Sequence, residues 1–259
     1  HSANSTWLNT PYKAPVASTA YDWSGFYIGA NAGYGWGTSN ATASTTGVGN
    51  PDAEVFHESN GTFGFNPKGF IGGMQGGFNY QTGMLVYGLE ADAQFSNLEA
   101  SRDTGFLPAH AGQTGRLRDT LDPSWQVTIR PRLGVAFDRT LLYATGGMAI
   151  SEVRLSQLNE ICQVANCPAS KFDGSVSSTK VGWVLGGGIE HGLIGNWTVK
   201  AEYLYVDLGS VDLRRNLIDD VGGTNRVFPG VFVDSTANLK AHIARFGFNY
   251  RFNPGTAGN

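Results

Sequence analysis

Charge is scarce in this chain of 259 residues: Asp, Glu, Lys and Arg make up only 15% of it, against roughly 25% in ordinary soluble domains. The 18 basic and 21 acidic residues nearly cancel, leaving a net charge of −3. That is no footprint for nucleic acid. Long apolar runs are also missing. No stretch approaches the ~20 consecutive apolar residues that a transmembrane helix needs, which excludes a helical membrane protein. The longest uncharged run, 23–51, is full of Gly, Asn, Ser and Thr. It would make a poor helix, because Gly costs about 1 kcal/mol per interior helical position. Cysteine is limited to Cys162 and Cys167. No His lies near them in sequence, so a thiolate metal site is not indicated. In an oxidising compartment the pair could close a small disulfide ring. The chain opens HSANSTWLNT, without a basic n-region and apolar h-region, and so reads as a mature or trimmed chain.

Glycine and aromatics are plentiful. The 36 glycines are about twice the usual share of ~7%, and they lack the three-residue period of collagen. Six Trp, ten Tyr and fifteen Phe accompany them. Their spacing is the informative part. At the chain's end Phe246, Phe248, Tyr250 and Phe252 alternate with Arg245, Gly247, Asn249 and Arg251. Strand geometry sends successive side chains to opposite faces, so one face is aromatic and the other polar. The pattern recurs over 26–36, 69–80, 85–95, 125–137, 141–153, 181–191, 197–208 and 240–252. The fifth of these, 141–153, has no clear face assignment. Short connections at 81–84, 138–140 and 192–196 alternate with long ones at about 37–68, 96–124, 154–180 and 209–239.

Eight alternating segments with short turns at one end and long loops at the other predict an all-β fold. It is an eight-stranded antiparallel up-and-down transmembrane β-barrel, with four long extracellular loops and short periplasmic turns. The barrel is expected over 21–252, after a flexible segment at 1–20 and before a short tail at 253–259. In hydrocarbon every backbone amide must be paired within the protein, and a closed sheet achieves this. The inner face would carry Glu90, Asp92, Arg130, Arg132, Glu190, Lys200, Glu202, Arg245 and Arg251. Unpaired ions would be very costly there, so their near balance points to an ion-pair network filling the lumen. Inner glycines would leave room for the long basic side chains. Trp36, Tyr80, Tyr87, Trp125, Trp183, Trp197, Tyr250 and Phe252 fall near strand ends, where aromatic girdles sit. A soluble lipocalin-like barrel shares the same period with the faces inverted; the girdle positions favour the membrane version.

The segments YDWSGFYIGANAGYGW at 21–36, GFIGG at 69–73, DRTLLYATGG at 138–147 and KAEYLYVDLG at 200–209 resemble a known family. It is that of the small outer-membrane immunogenic, porin-family barrels of alphaproteobacteria, within the broader OmpA-like barrel group. The resemblance covers about 21–252. It implies a bacterial outer-membrane location, a periplasmic N-terminus and surface-exposed long loops. Members are usually described as abundant structural or surface-antigen proteins, sometimes as porins. One departure is the stretch 253–259 after Phe252, since the family typically ends at the aromatic residue of its last strand.

Catalysis is not expected. His57, His110, His191 and His242 could serve a lipid-modifying hydrolase or acyltransferase, but such chemistry wants a Ser beside a His at the interface. His242 has no Ser neighbour on its strand, and His57, next to Ser59, falls in a long polar loop. Glu90 with Asp92, or Glu190 with Glu202, could pose as catalytic carboxylates; basic residues on the same face give the simpler ion-pair reading. The runs at 72–73, 146–147 and 186–188 lack the Lys and following helix of a phosphate loop. No cofactor or metal is implied. The expected function is a structural, surface-exposed barrel that supports envelope integrity and surface interactions. A narrow passive channel is the first alternative and a lipid-modifying enzyme the second. Expected partners are outer-membrane lipid and lipopolysaccharide. A periplasmic partner for 1–20 is a further candidate. So is a neighbouring copy of the barrel, met through the outward small residues Gly72, Gly76, Ala91, Ala93, Gly187 and Ala201.

Overall fold

The computed structural model describes residues 21–46, 61–98, 100–103, 107–108, 114–163, 166–219 and 226–252. The expectations for 1–20, 253–259, His57 and His110 fall outside these residues. Twelve strands make up the described chain: β1 (Gly25–Gly37), β2 (Ser39–Thr46), β3 (Gly61–Phe65), β4 (Lys68–Thr82), β5 (Leu85–Ser96), β6 (Ala100–Asp103), β7 (Leu107–Pro108), β8 (Thr114–Phe137), β9 (Thr140–Gln163), β10 (Asn166–Gly192), β11 (Trp197–Asp219) and β12 (Arg226–Phe252). Eight of them close a ring in the order β1-β4-β5-β8-β9-β10-β11-β12, with β12 returning to pair with β1. The remaining four prolong the ring at one end. β2 and β3 form a hairpin on β12, while β6 and β7 add to β8. Every pairing is antiparallel.

The short turns are sharp, and their residues suit them. Gly83 (φ 59°) sits in the β4–β5 turn and Gly195 (φ 68°) in the β10–β11 turn, both in the left-handed region that glycine enters at no steric cost. Asp138 (φ 51°) serves the β8–β9 turn; Asp is among the few other residues that tolerate that region.

The long-loop expectation needs correction. Strands β8 to β12 run far beyond their predicted ends, so most of 154–180 and 209–219 is strand rather than loop. Two features hid this from the sequence. The ladders carry irregularities at Pro123/Trp125, Asp207/Ser210 and Phe172/Trp183, and the alternation changes parity on β8 and β11. The polarity also inverts. Over the first half of each stave Ile28, Phe70, Met74, Leu133, Leu142, Leu185 and Phe246 face outward and are exposed, while ions are buried inside. Beyond Trp36, Trp125 and Trp183 the interior turns mainly apolar: Ala41, Leu121, Val153, Leu155, Val211, Leu213, Ala237 and Leu239 form one buried cluster, beside which Arg215 is buried on Asn159 and Ser235. Its outer wall carries exposed Arg154, Asp212, Arg214, Thr236 and Asn238. The hydrophobic face therefore follows the solvent: outward where acyl chains lie, inward where water lies. The soluble and membrane readings of the same period thus apply to successive stretches of the same strands.

The faces of β9 are now plain. Leu141, Tyr143, Thr145, Ala149 and Ser151 point inward, and Leu142 and Met148 outward. On the extension's outer wall Arg214 donates to both carboxylate oxygens of Asp234, at 2.6 and 2.8 Å, and lies over the Phe232 ring at 4.2 Å. That bidentate hydrogen bond holds the Asp234 carboxyl below its usual range.

Two outcomes follow. Leu155→Ala leaves a hole in a closed apolar cluster and should cost about 2–5 kcal/mol, whereas Leu142→Ala on the lipid face should cost less. The temperatures at which the folded gel band converts to the unfolded one would rank them. The Asp234 carboxylate should titrate below ~3.9, its unperturbed value. Stability linked to it is present above that pH and fades as pH falls through the lowered value. In Arg214→Gln the midpoint, followed by carboxyl NMR, should rise.

Candidate functional site

The interior of the lipid-facing half is a single charged layer. Strand register sets it up. Glu90 stands opposite Arg130 across β5–β8, Glu202 opposite Arg245 across β11–β12, and Glu190 opposite Lys200 across β10–β11. Eight of the nine expected inner ions, all but Arg251, are gathered there by direct contacts.

Glu90 is the hub. It accepts from Arg130 Nη2 at 2.6 Å, from Lys200 Nζ at 2.7 Å and from Tyr27 Oη at 2.7 Å. Lys200 thus crosses the lumen instead of pairing with Glu190, its neighbour in register. Asp92 accepts from Arg130 at 2.8 Å, Arg245 at 3.2 Å, Thr128 at 2.7 Å and Gln94 at 2.7 Å. Glu202 takes Arg245 Nε at 2.7 Å, Tyr143 Oη at 2.9 Å and Arg130 Nη1 at 3.2 Å. Glu190 takes Arg132 at 2.8 Å, Asn249 at 2.9 Å and Thr198 at 2.5 Å. Arg132 also donates to Tyr27 Oη at 3.0 Å and lies 3.9 Å over the Tyr143 ring.

Four carboxylates meet four cations, and all eight side chains are essentially inaccessible. In a low-dielectric interior such an arrangement holds only if each ion is both paired and hydrogen-bonded, and each carboxylate here accepts several bonds. The layer has room because the wall recedes behind it. A Cβ built on Gly88 would meet Arg132 Cγ at 2.8 Å, and one on Gly247 would meet Lys200 Cε at 2.9 Å.

Arg251 departs from the expectation. It is buried, but at the short-turn end of the barrel, where it donates to the backbone carbonyls of Asp22 and Ser24 and stacks over Tyr21 and Trp23. The residues just before β1 reach the ninth inner ion before any carboxylate does. Tyr27, Tyr143, Thr198, Asn249 and Gln75 belong to the buried polar layer, although they carry no charge to flag them. Their inward parity was the available signal, except for Tyr143, whose strand had no assignable face.

The expected girdle residues lie outward at two levels. Tyr80 and Tyr87 are opposite each other beside the β4–β5 turn, and Trp197, Tyr250 and Phe252 pack in a row at the same end. Trp36 stacks on His242 at the other level, Trp183 packs on Tyr205, and Trp125 Nε1 donates to Glu152 at 2.9 Å. These three mark where the outer wall turns polar; Trp36 is at the end of β1, as expected, whereas Trp125 and Trp183 are in mid-strand. The outward small residues Ala91 and Ala93 are exposed, and Gly72, Gly76, Gly187 and Ala201 partly so. Cys162 is buried in the extension and disulfide-bonded; the side chain of Cys167 lies outside the described residues. His191 contacts Thr140 at 3.0 Å and His242 contacts Tyr203 at 2.6 Å. Among the described residues, no cluster of His, Cys, Asp and Glu could hold a metal ion, and no helix is long and apolar enough to cross a membrane.

A closed antiparallel ring with a greasy outer belt, aromatic borders and an ionic interior defines a transmembrane β-barrel of the outer-membrane type. Residues 13–252 match the family model described as "Outer membrane protein beta-barrel domain", and the chain belongs to that family. It is 35% identical over 246 residues to the 31 kDa outer-membrane immunogenic protein of Brucella melitensis, covering 94% of this chain and 89% of that one. It is 30% identical over 202 residues to the 25 kDa outer-membrane immunogenic protein of Brucella abortus, covering 77% and 73%. Among solved structures, outer membrane protein OprG from Pseudomonas aeruginosa aligns with a TM-score of 0.44 at 11% identity, covering 90% of this chain and 99% of that one.

Removing one partner from the charged layer strands the other in a dry interior. Arg245→Met should therefore cost about 3–5 kcal/mol, and Arg245→Met with Glu202→Leu should recover much of it. Urea unfolding followed by tryptophan fluorescence would measure both. Equal stability of the single and double variants would remove the pair from the interior's energetics.

Proposed function

We propose that this chain is a structural, surface-exposed barrel of the bacterial outer membrane, sealed by its ion-pair layer and serving envelope integrity and surface interactions. The observation that carries the reading is the charge-balanced layer of four acids and four bases across the lumen. Lumens of eight-stranded barrels are normally filled by side chains, and every ion of this layer is paired. The short-turn end, where the described residues begin and end, would face the periplasm, and the polar-walled extension the outside. Outer-membrane lipid and lipopolysaccharide would surround the belt between the two girdles. The outward small residues would allow a neighbouring barrel to approach, and the segment 1–20 would be free to meet a periplasmic partner. In the oxidising periplasm Cys162 and Cys167 would be bridged.

Planar-bilayer recording separates this reading from a narrow passive channel. The refolded chain should show no steady single-channel steps, and a variant carrying Glu90→Ala, Arg130→Ala and Arg245→Ala should begin to conduct. Sizeable, regular steps from the unaltered chain would overturn the sealed-barrel reading. For the cysteines, mass spectrometry of protein extracted from membranes should find no free thiol.

A further inference from the structure

The barrel interior changes character just above the charged layer. Gln94, Gln126 and Ser151 form a floor there, and over it lies a cavity of about 70 Å³ walled largely by Ile71, Leu98, Leu121, Val153 and Leu239. One water needs about 15 Å³ of such space, so the cavity offers about five water-sized positions, or roughly five non-hydrogen atoms.

The strand pairing is interrupted at this level. The β5–β8 ladder stops at Phe95–Trp125 and resumes only at Ala100–Leu121. Pro123, inside that break, has no N–H to offer, and its carbonyl is held by Ser96 Oγ at 2.5 Å. The β10–β11 ladder stops at Trp183–Asp207 and resumes at Phe172–Leu217. Ser96 and Pro123 beside the first break, and Val206 and Leu208 beside the second, line the cavity. Trp125 and Trp183 place both seams at the border between acyl chains and water.

Of the buried side-chain polar atoms without a partner among the described residues, one lines this cavity. Gln94 is almost fully buried, and its Nε2 donates to Asp92 in the layer below. Its Oε1 has no partner among the described residues. A buried acceptor without a donor is costly, and the cavity is the space beside it. We propose that this cavity binds a small, uncharged, mainly apolar molecule carrying one hydrogen-bond donor, which enters sideways through the seams and donates to Gln94 Oε1. The guest's carbons leave water for an apolar enclosure. The ion layer beneath stops it from going further, so the site is a dead end rather than a passage. The inference does not depend on the sealed barrel's role in the envelope.

Isobutanol and isopentane, each with five non-hydrogen atoms, are suitable probes for the full chain refolded into lipid nanodiscs with labelled Leu, Val and Ile methyls. Isobutanol should give saturable shifts at Leu121, Val153 and Leu239, while the lipid-facing methyls of Leu142 and Leu185 shift without saturating. Isopentane should bind more weakly, by the ~2–10-fold that one hydrogen bond is worth. Gln94→Leu should bring isobutanol down to the isopentane level. Ala241→Leu, which fills the cavity and leaves the bond to Asp92 intact, should abolish saturable binding of both. Absence of saturable shifts, or unchanged binding in Ala241→Leu, would overturn the site. Equal isobutanol affinity with and without Gln94 would overturn the donor requirement, and a resident water bonded to Gln94 Oε1 that isobutanol fails to displace would do the same.

Discussion

Saturation of the backbone hydrogen bonds is the constraint on which the rest of this structure depends. Hydrocarbon offers no partner to an N–H or C=O, so strands that cross it must pair on both edges and the sheet must close. Closure of the β1–β12 seam in continuous register, from Phe26–Phe252 to Gly37–Ala241, meets that demand. Closure in turn creates an interior too narrow for bulk water and too wide for backbone alone, which side chains must fill. Because the outer face is committed to lipid, the period-two alternation sends the polar residues inward. The ionic layer is thus a consequence of the closed wall, and its mutual pairing is what makes that consequence tolerable.

The same strands obey a different solvent above the girdle. The backbone alternation continues without a change of parity on β9, from Tyr143 through Ser151 to Val153 and Leu155, all inward. What changes is which chemistry occupies the inward positions. Tyr143 and Thr145 give way to Ala149, then to Val153 and Leu155, while the outward positions pass from Leu142 and Met148 to Arg154. The barrel is a membrane protein and a water-soluble one in series, joined without a linker. The broken ladders at Pro123 and near Gly182 fall in and just beyond the transition.

Much of the ring was legible in the sequence, and for a simple reason. Over 26–36, 69–80 and 85–95 an alternation of mostly apolar with mostly small or polar residues divides the side chains between two faces in one way. The inner ions follow from parity alone, and eight of nine meet as parity demands. The rest was hidden by causes that can be named. Strand 141–153 carries Leu141, Tyr143 and Ala149 on its inner face, so both faces look apolar. Past Trp125 and Trp183 the polarity inverts, and Ser- and Thr-rich stretches such as 174–179 read as loop when they are strand. Arg251 satisfies the parity rule yet serves another purpose, because its partners lie in the chain just before the first strand and not across the lumen.

That last arrangement has a consequence for how the molecule is completed. Arg251 and its acceptor on Asp22 are 229 residues apart in sequence, and they meet only where the first stave adjoins the last. A nascent chain lacking its final strand has no way to make this clasp, however many hairpins have already formed. The clasp therefore works as a local mark of completion: a ring still open at that seam leaves a guanidinium and a pair of aromatic rings without one another at the inner mouth.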